Sequence, residues 1–232
     1  MPIHTYTNWN SRHTDQEEQI EPFRKYYFIC EGANTETFYF KKLIDIKKEL
    51  GIHSLIDIRL WEKTGEDRNL SYPKNLALFA EQQKSQDDDF DETQDKMIIV
   101  FDGDIFEERV EGYNELIATI EEKDIAAITN PCFELFLLLH VEESYNNYIK
   151  GHEIDFFTRD EKGRLHHAYD ILLELTGMNA KTNPNIGKLA DKIHIAIVQE
   201  KLINQDIHDI KGKVSSNIGK IIEEIINEKP FI

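Results

Sequence analysis

Strand-like and helix-like segments alternate along residues 23–140, and this alternation constrains the fold more than any other feature of the chain. Short runs rich in aromatic and β-branched residues, typical of buried strands, lie at residues 26–30, 55–61, 96–101 and 124–128. Helical patterns follow them at residues 35–50, 74–84, 110–123 and 131–141. Because strands separated by helices usually pair in parallel, we predict an α/β fold, a Rossmannoid parallel sheet flanked by helices.

The texture of the sequence divides the chain into three parts. Residues 1–21 are polar, acidic and aperiodic, which indicates a flexible tail, and residues 22–141 contain the predicted sheet domain. The predicted extension at residues 142–232 is mainly helical, with helical patterns at 168–176, 186–199 and 214–227. Two polar residues are predicted to cap helices: Thr35 the first helix, and Asn130, followed by Pro131, the fourth.

The net charge of the chain is −17, which disfavours unaided binding to nucleic acid. Most of this charge belongs to residues 1–140, which carry 15 basic and 29 acidic side chains, and a dense acidic loop lies at residues 87–95. The two cysteines, Cys30 and Cys132, are far apart and exclude a disulfide framework and a zinc ribbon. No apolar run reaches the ~20 residues of a membrane span, so we expect a cytoplasmic protein without membrane partners.

Acidic residues follow the predicted strands at the places where parallel α/β sheets carry their sites. Glu31 follows the first strand, Asp102 and Asp104 follow the third, and Glu134 lies in the first turn of the fourth helix. Grouped carboxylates of this kind suit Mg²⁺ or Mn²⁺. The alternative is that Asp102 and Asp104 belong to an ordinary surface loop, and that Glu134 only satisfies backbone amides at its helix start.

Three segments of the chain resemble the motif blocks of the RloB-like family, a member of the Toprim superfamily. They are CEGANTE at residues 30–36, FDGD at 101–104 and TNPCFELFLLLH at 129–140. The chain differs from the usual family pattern in having Gly103 in place of Arg, Phe136 in place of Trp, and Ile105 in place of an acidic residue. The acidic triad of the pattern, Glu31, Asp102 and Asp104, is intact.

The resemblance implies a Toprim-like fold with a four-stranded parallel sheet and a metal-dependent phosphodiesterase activity. Asp102 and Asp104 would hold Mg²⁺ or Mn²⁺, and Glu31 would complete the metal shell or act as general base. Relatives of this kind act in bacterial antiphage defence and abortive infection, often beside an AAA-type ATPase, and a similar effector cleaves tRNA. The expected activity is therefore that of a nuclease acting on DNA or tRNA.

Several further residues have both a functional and a structural interpretation. Glu36 could bind a second metal ion or cap its helix, and His140 could be catalytic or lie in the core. Substrate phosphate could be bound by lysines near the turn at residues 183–185 or by a weakly basic cluster, although solvated surface is the default interpretation of both groups. The lysines are Lys181, Lys188 and Lys192, and the cluster is Arg159, Arg164, His166 and His167.

Two other functions are compatible with the same residues. The chain could be a non-catalytic subunit whose acidic loop docks onto a basic ATPase partner, or a phosphohydrolase acting on a small nucleotide. The sequence leaves the oligomeric state open, a homo-oligomer included. It also does not distinguish DNA from RNA as the substrate, or one metal ion from two.

Overall fold

The computed structural model describes residues 4–7, 22–63, 72–104 and 110–230. A six-stranded sheet runs through it in the order β1-β3-β2-β4-β5-β6. The strands are β1 His4–Tyr6, β2 Arg24–Cys30, β3 Ile56–Glu62, β4 Lys96–Asp102, β5 Ile125–Asn130 and β6 Ser215–Ser216. The four central strands are parallel, and β1 and β6 pair antiparallel at the two edges. The predicted α/β fold with a mainly parallel sheet is confirmed.

Helices cover both faces of this sheet. The α-helices are α1 Thr35–Asp45, α2 Pro73–Lys84, α3 Val110–Glu121, α4 Phe133–Leu138, α5 His167–Thr176, α6 Ile193–Glu200 and α7 Ile218–Asn227. A π-helical turn at Tyr145–Ile149 and 3-10 helices at Glu153–Phe157 and Pro184–Lys192 connect the later ones. Within the described part of the chain, every helix is too short or too polar to span a lipid bilayer.

Alternate residues of the central strands face two separate cores, as the pleat of a strand requires. On β2, Phe28 and Cys30 pack with α1, α4 and the helices after residue 142. Tyr27 and Ile29 point to the other face and pack with α2 and α3. The near-continuous apolar runs of the sequence are explained by this arrangement, because a parallel strand covered on both faces buries every side chain.

The N-terminal and C-terminal regions both contribute to the sheet. His4–Tyr6 form β1 inside the segment expected to be a flexible tail, and the rest of residues 1–21 lie outside the described residues except for Thr7. The helix predicted at 214–227 begins only at Ile218, because Ser215–Ser216 pair with β5 as β6. The segment predicted as a helix at 186–199 is a 3-10 helix up to Lys192, followed by α6.

Both predicted helix caps are wrong. Asn34, not Thr35, precedes α1, and the Thr35 hydroxyl donates instead to the carbonyl of Ala180 at 3.1 Å. The Asn130–Pro131 peptide bond is cis, and α4 begins later, at Phe133. The Asn130 side-chain amide donates to the carbonyls of Ile210 and Lys213, so tertiary contacts use the groups that the sequence pattern assigned to capping.

Candidate metal and active site

The candidate site lies at the carboxyl edge of the parallel sheet, where the four central strands end next to one another. Along this edge, Lys63 follows β3, Glu31 follows β2 and Asp102 is the last residue of β4. The chain continues from β5 through a short loop to Glu134 in α4. Neighbouring strands are about 4.8 Å apart, so side chains at adjacent strand ends come within electrostatic reach of each other. The sequence-based placement of three of these carboxylates at one edge is therefore reproduced.

Glu31 and Asp102 are joined directly. The backbone amide of Asp102 donates to Oε2 of Glu31 at 3.2 Å, and the amide of Glu31 donates to the Val100 carbonyl at 2.8 Å. Burial, together with the charges of Glu36 and Asp104, raises the pKa of the Glu31 carboxyl from an ordinary value of 4.5 to about 7, although the hydrogen bond from Asp102 opposes the shift. Glu31 is thus a partly buried acid whose pKa is close to neutral pH.

Glu36 lies beneath the loop that follows β2. It is 8 % exposed, and its Oε1 accepts a hydrogen bond from the backbone amide of Gly32 at 3.1 Å. A Cβ at position 32 would lie 2.1 Å from Oε2 of Glu36, so a larger residue there would displace the Glu36 carboxylate from this position. Burial raises the pKa of Glu36, and the charge of Glu134 adds to the shift.

Asp102 lies within electrostatic range of three other acids of the site, Glu36, Glu134 and Glu31. Its pKa is raised well above the ordinary value by burial and then by the charges of Glu36, Glu134 and Glu31. A hydrogen bond from the Thr129 hydroxyl to Oδ1 of Asp102, 2.8 Å long, acts in the opposite direction. This bond also fixes the carboxylate at the end of β4 to the end of β5.

The carboxylate cluster therefore consists of Glu31, Glu36, Asp102 and Glu134, and the pKa values of Glu31, Glu36 and Asp102 are raised by burial and by the charges of their neighbours. It differs from the predicted metal set of Glu31, Asp102 and Asp104, because Glu36 and Glu134 join it and Asp104 lies at its rim. In the described residues, no three His, Cys, Asp or Glu side chains are arranged to hold one metal ion together. The structure thus gathers negative charge without presenting a completed ligand shell.

Asp104 lies at the rim of the cluster. Its charge raises the pKa of Glu31, and its Oδ2 is 3.8 Å from a guanidinium nitrogen of Arg159. Arg159 belongs to a hairpin at residues 159–165, closed by a bridge between Arg159 and Leu165. The predicted role of Asp104 as a metal ligand stays a prediction.

A family model described as RloB-like protein matches residues 26–225, which is most of the chain. The chain belongs to the RloB-like family. The match covers both the sheet and the helices after residue 142. Comparisons with curated proteins and with solved structures give no match.

One departure from the usual pattern of RloB-like proteins has a local structural reason. At Gly103, a Cβ would lie 2.8 Å from Cδ1 of Ile210 and 3.1 Å from Oδ1 of Asn130. The Gly103 amide also donates to the Thr129 carbonyl at 2.7 Å, which holds the backbone close to β5. The space that a larger side chain needs at this position is filled by Ile210 and Asn130. Ile105, another departure, lies outside the described residues.

His140 lies in the core rather than at the site. It is fully buried, its Nδ1 is 3.0 Å from the Phe136 carbonyl, and its Nε2 is 2.9 Å from the Tyr39 hydroxyl. The carbonyl can only accept, so Nδ1 carries the proton and the Tyr39 hydroxyl donates to Nε2. Burial lowers the pKa of His140 to about 4. These contacts favour the structural interpretation of this residue.

The three lysines predicted to bind substrate lie on segments that contact α1 or the loop before it. The Asn34 side chain donates to the Lys181 carbonyl at 3.2 Å, which places Lys181 beside the loop after β2. Lys188 and Lys192 are exposed on the 3-10 helix that packs against α1. Their predicted role in binding stays a prediction.

Sequence reasoning missed Lys63 and undervalued Arg159. The Lys63 ammonium donates to the backbone carbonyl of Glu31, and burial lowers the pKa of Lys63 although Glu31 and Glu36 oppose the shift. The signal for Lys63 was its position just after a predicted strand, the same criterion that selected Glu31. No sequence signal joined Arg159 to Asp104, because 55 positions of chain separate them.

Basic residues of β2 and β3 partly neutralise the acidic loop at residues 87–95. Asp89 pairs with Lys25 at 3.1 Å and also with Arg59. Asp95 is 4 % exposed and accepts a hydrogen bond from the backbone amide of Lys25 at 2.8 Å. These contacts give two of the loop's acids a structural role in holding it against β2 and β3.

Proposed function

We propose that this RloB-like protein is a metal-dependent phosphodiesterase that cleaves nucleic acid, either DNA or tRNA. The observation that carries the proposal is the carboxylate cluster, in which four acids lie close together and the pKa values of Glu31, Glu36 and Asp102 are raised by burial and neighbouring charge. Grouping buried acids in this way is costly in a folded protein unless it serves a cation or a reaction. The three motif blocks that resemble the family lie at this same edge.

The donors of the cluster fit Mg²⁺ or Mn²⁺ by their chemistry, because they are hard carboxylate oxygens. Asp102 is the central ligand of the proposal, with Glu31 and Asp104 as predicted and with Glu36 or Glu134 as further donors. Side-chain rotation would be needed to complete a ligand shell. A bound ion would neutralise charge on the scissile phosphate and lower the pKa of a water molecule.

The residues around these ligands have roles of their own in the proposal. Thr129 orients Asp102 through its hydroxyl, and the Asp102 amide holds one oxygen of Glu31. Glu31, with a pKa of about 7 before an ion binds, is the candidate general base that would accept a proton from the attacking water. A general base is most effective when its pKa lies near the working pH.

The biological setting is proposed from the family resemblance alone. We propose that the protein belongs to the Toprim superfamily and is a cytoplasmic effector of bacterial antiphage defence working with an AAA-type ATPase. The chain has 27 basic and 44 acidic side chains, a net charge of −17, and such a surface repels the phosphates of nucleic acid. This supports the need for help in binding. A basic partner and divalent ions would supply that help.

The proposal is tested by incubating purified protein with single-stranded DNA, duplex DNA and tRNA in EDTA, Mg²⁺ or Mn²⁺, with and without any AAA-type ATPase encoded beside it. We expect cleavage only with a divalent ion, and its loss in Asp102→Asn. Asp88→Asn is the matched control, because it removes the same charge from an exposed position in the acidic loop. Cleavage that survives in Asp102→Asn, or no cleavage under any condition, contradicts the proposal.

The two alternatives give different results in the same preparation. A phosphohydrolase for small nucleotides would release phosphate from a nucleotide panel and leave the polymers intact. A docking subunit would show no Mn²⁺ binding by calorimetry, whereas the proposed site predicts binding that is lost in Asp102→Asn. Asp89 pairs with Lys25 and Arg59, and Asp95 pairs with Lys25. The acidic surface left for docking is therefore smaller than the sequence indicated.

A further inference from the structure

Two cations from distant parts of the chain flank the carboxylate cluster, and neither belongs to the motif blocks. Lys63 follows β3, one strand away from Glu31 and two strands away from Asp102 in the sheet. Arg159 is paired with Asp104, which follows β4. The row of strand-end residues therefore runs from Lys63 after β3, through Glu31 after β2, to Asp102 and Asp104 at the end of β4, with Arg159 beside Asp104.

Lys63 is held at one end of this row. Its ammonium donates to the Glu31 carbonyl and is within electrostatic range of Glu31 and Glu36. Two strand spacings, roughly 10 Å, separate the ends of β3 and β4. Lys63 therefore binds the backbone of the loop at Glu31. It is also far enough from Asp102 to contact a phosphate of a bound polymer other than the one beside Asp102.

Arg159 is held at the other end by its own hairpin. One guanidinium nitrogen donates to the Gly163 carbonyl at 2.9 Å, and another lies 3.8 Å from Asp104. The side chain is 41 % exposed. Because a guanidinium has five N–H donors in a planar fork, Arg159 can bind a phosphate while keeping its contact with Gly163.

A phosphate that approaches the cluster meets four carboxylates, which repel it. Cations beside the end of β3 and beside Asp104 would offset this repulsion along an extended ligand but would do little for a ligand with a single phosphate. We propose that Lys63 and Arg159 bind phosphate groups on either side of the one that is hydrolysed, so that the substrate is a nucleic-acid strand. The proposal rests on the phosphodiesterase function and adds two phosphate-binding residues to it.

Binding and hydrolysis are measured separately to test it. Fluorescence anisotropy of a labelled single-stranded oligonucleotide, as DNA and as RNA, is recorded in Ca²⁺ over a series of salt concentrations. We expect Arg159→Ala and Lys63→Ala each to weaken binding roughly fivefold to tenfold. The slope of log affinity against log salt should become less negative by about 0.7 for each variant, the value for one lost phosphate contact on a single strand.

Two matched controls remove the same charge elsewhere. Lys162→Ala changes an exposed residue of the hairpin that carries Arg159, and Lys48→Ala changes an exposed residue after α1, at the opposite edge of the sheet. Both should bind like the unmodified protein and keep its salt slope. Lys63→Arg, which retains the charge, should retain most of the affinity and separates loss of charge from loss of structure.

The outcomes distinguish this inference from the proposed function. Unchanged affinity and slope in Arg159→Ala and Lys63→Ala overturn the inference even when the protein is a nuclease. Failure of the unmodified protein to bind either oligonucleotide, both alone and with the ATPase partner, also overturns it, while hydrolysis of bis(4-nitrophenyl) phosphate, which has one phosphodiester, would leave the phosphodiesterase proposal standing. Weakened binding in both variants without hydrolysis of any substrate supports the binding residues and refutes the nuclease.

Discussion

The backbone amide of Asp102 donates a hydrogen bond to Oε2 of Glu31 at 3.2 Å, and this contact joins the ends of β4 and β2. It holds together two acids at the same site: the charge of Glu31 raises the pKa of Asp102, and the charge of Glu36 raises the pKa of both. Folding therefore places Glu31 and Asp102 in contact at a cost in electrostatic energy. The predictions below follow from this cost and from the contacts around it.

Asp102→Asn should abolish metal-dependent hydrolysis and stabilise the metal-free protein. The amide keeps the shape of the side chain but removes the charge that Glu36, Glu134 and Glu31 oppose. We expect hydrolysis to fall roughly 100-fold or more. In EDTA the free energy of unfolding, measured by urea denaturation, should rise by about 1–2 kcal/mol. A less stable variant would show that the charges do not repel as described.

Stability in EDTA should depend on pH through Glu31. Its folded pKa of about 7 lies above the ordinary value of 4.5, so the folded state binds more protons between these values. The contribution of Glu31 to stability is therefore complete below pH 4.5 and is lost as the pH rises through 7. Relative to Glu31→Gln, the protein should lose about 2 kcal/mol across this window, allowing for partial exposure. Parallel profiles for the two proteins would contradict the assignment.

His140 should matter for stability and not for hydrolysis. In His140→Leu the buried Tyr39 hydroxyl loses its acceptor, which should cost about 2–3 kcal/mol of unfolding free energy. Adding Tyr39→Phe should recover part of this loss, because the unsatisfied hydroxyl is removed. Hydrolysis per folded molecule should stay unchanged; a specific loss of rate would return His140 to the catalytic group.

The same histidine gives a pH dependence of opposite sign to that of Glu31. Its pKa is lowered to about 4, below the ordinary value of 6.5, because the buried ring is held neutral. Its contribution to stability is present above pH 6.5 and is lost as the pH falls through 4. Urea denaturation across this range, compared between the unmodified protein and His140→Leu, measures the contribution directly.

Gly103 and Ile210 should be energetically coupled. Gly103→Ala brings a methyl group to 2.8 Å from Cδ1 of Ile210, which we expect to cost about 1–2 kcal/mol. Ile210→Val removes that carbon, so the double variant should be more stable than the sum of the two single changes predicts. Additive effects in a double-mutant cycle would mean that the contact with Asn130, rather than Ile210, excludes a side chain at position 103.

The strand-end carboxylates show how far sequence reasoning reaches. Glu31, Asp102 and Glu134 could be predicted to meet, because periodicity identifies the strands and parallel strands end at one edge. Glu36 remained ambiguous between capping and metal binding, since its distance from Glu134 depends on how α1 and α4 pack. The helix caps failed for a similar reason, because Thr35 and Asn130 bond to residues far away in the chain.

The sequence by itself determined the α/β class, the positions of the central strands along the chain, the membership in the RloB-like family through its motif blocks, and most of the acidic site. These features depend on local periodicity and on residues near strand ends, which short stretches of chain encode. Tertiary structure alone decided that His140 lies in the core, that Ile210 excludes a side chain at Gly103, and that Lys63 and Arg159 flank the acids. Each of these depends on contacts between distant segments, and such contacts form only when the whole sheet and its covering helices pack together.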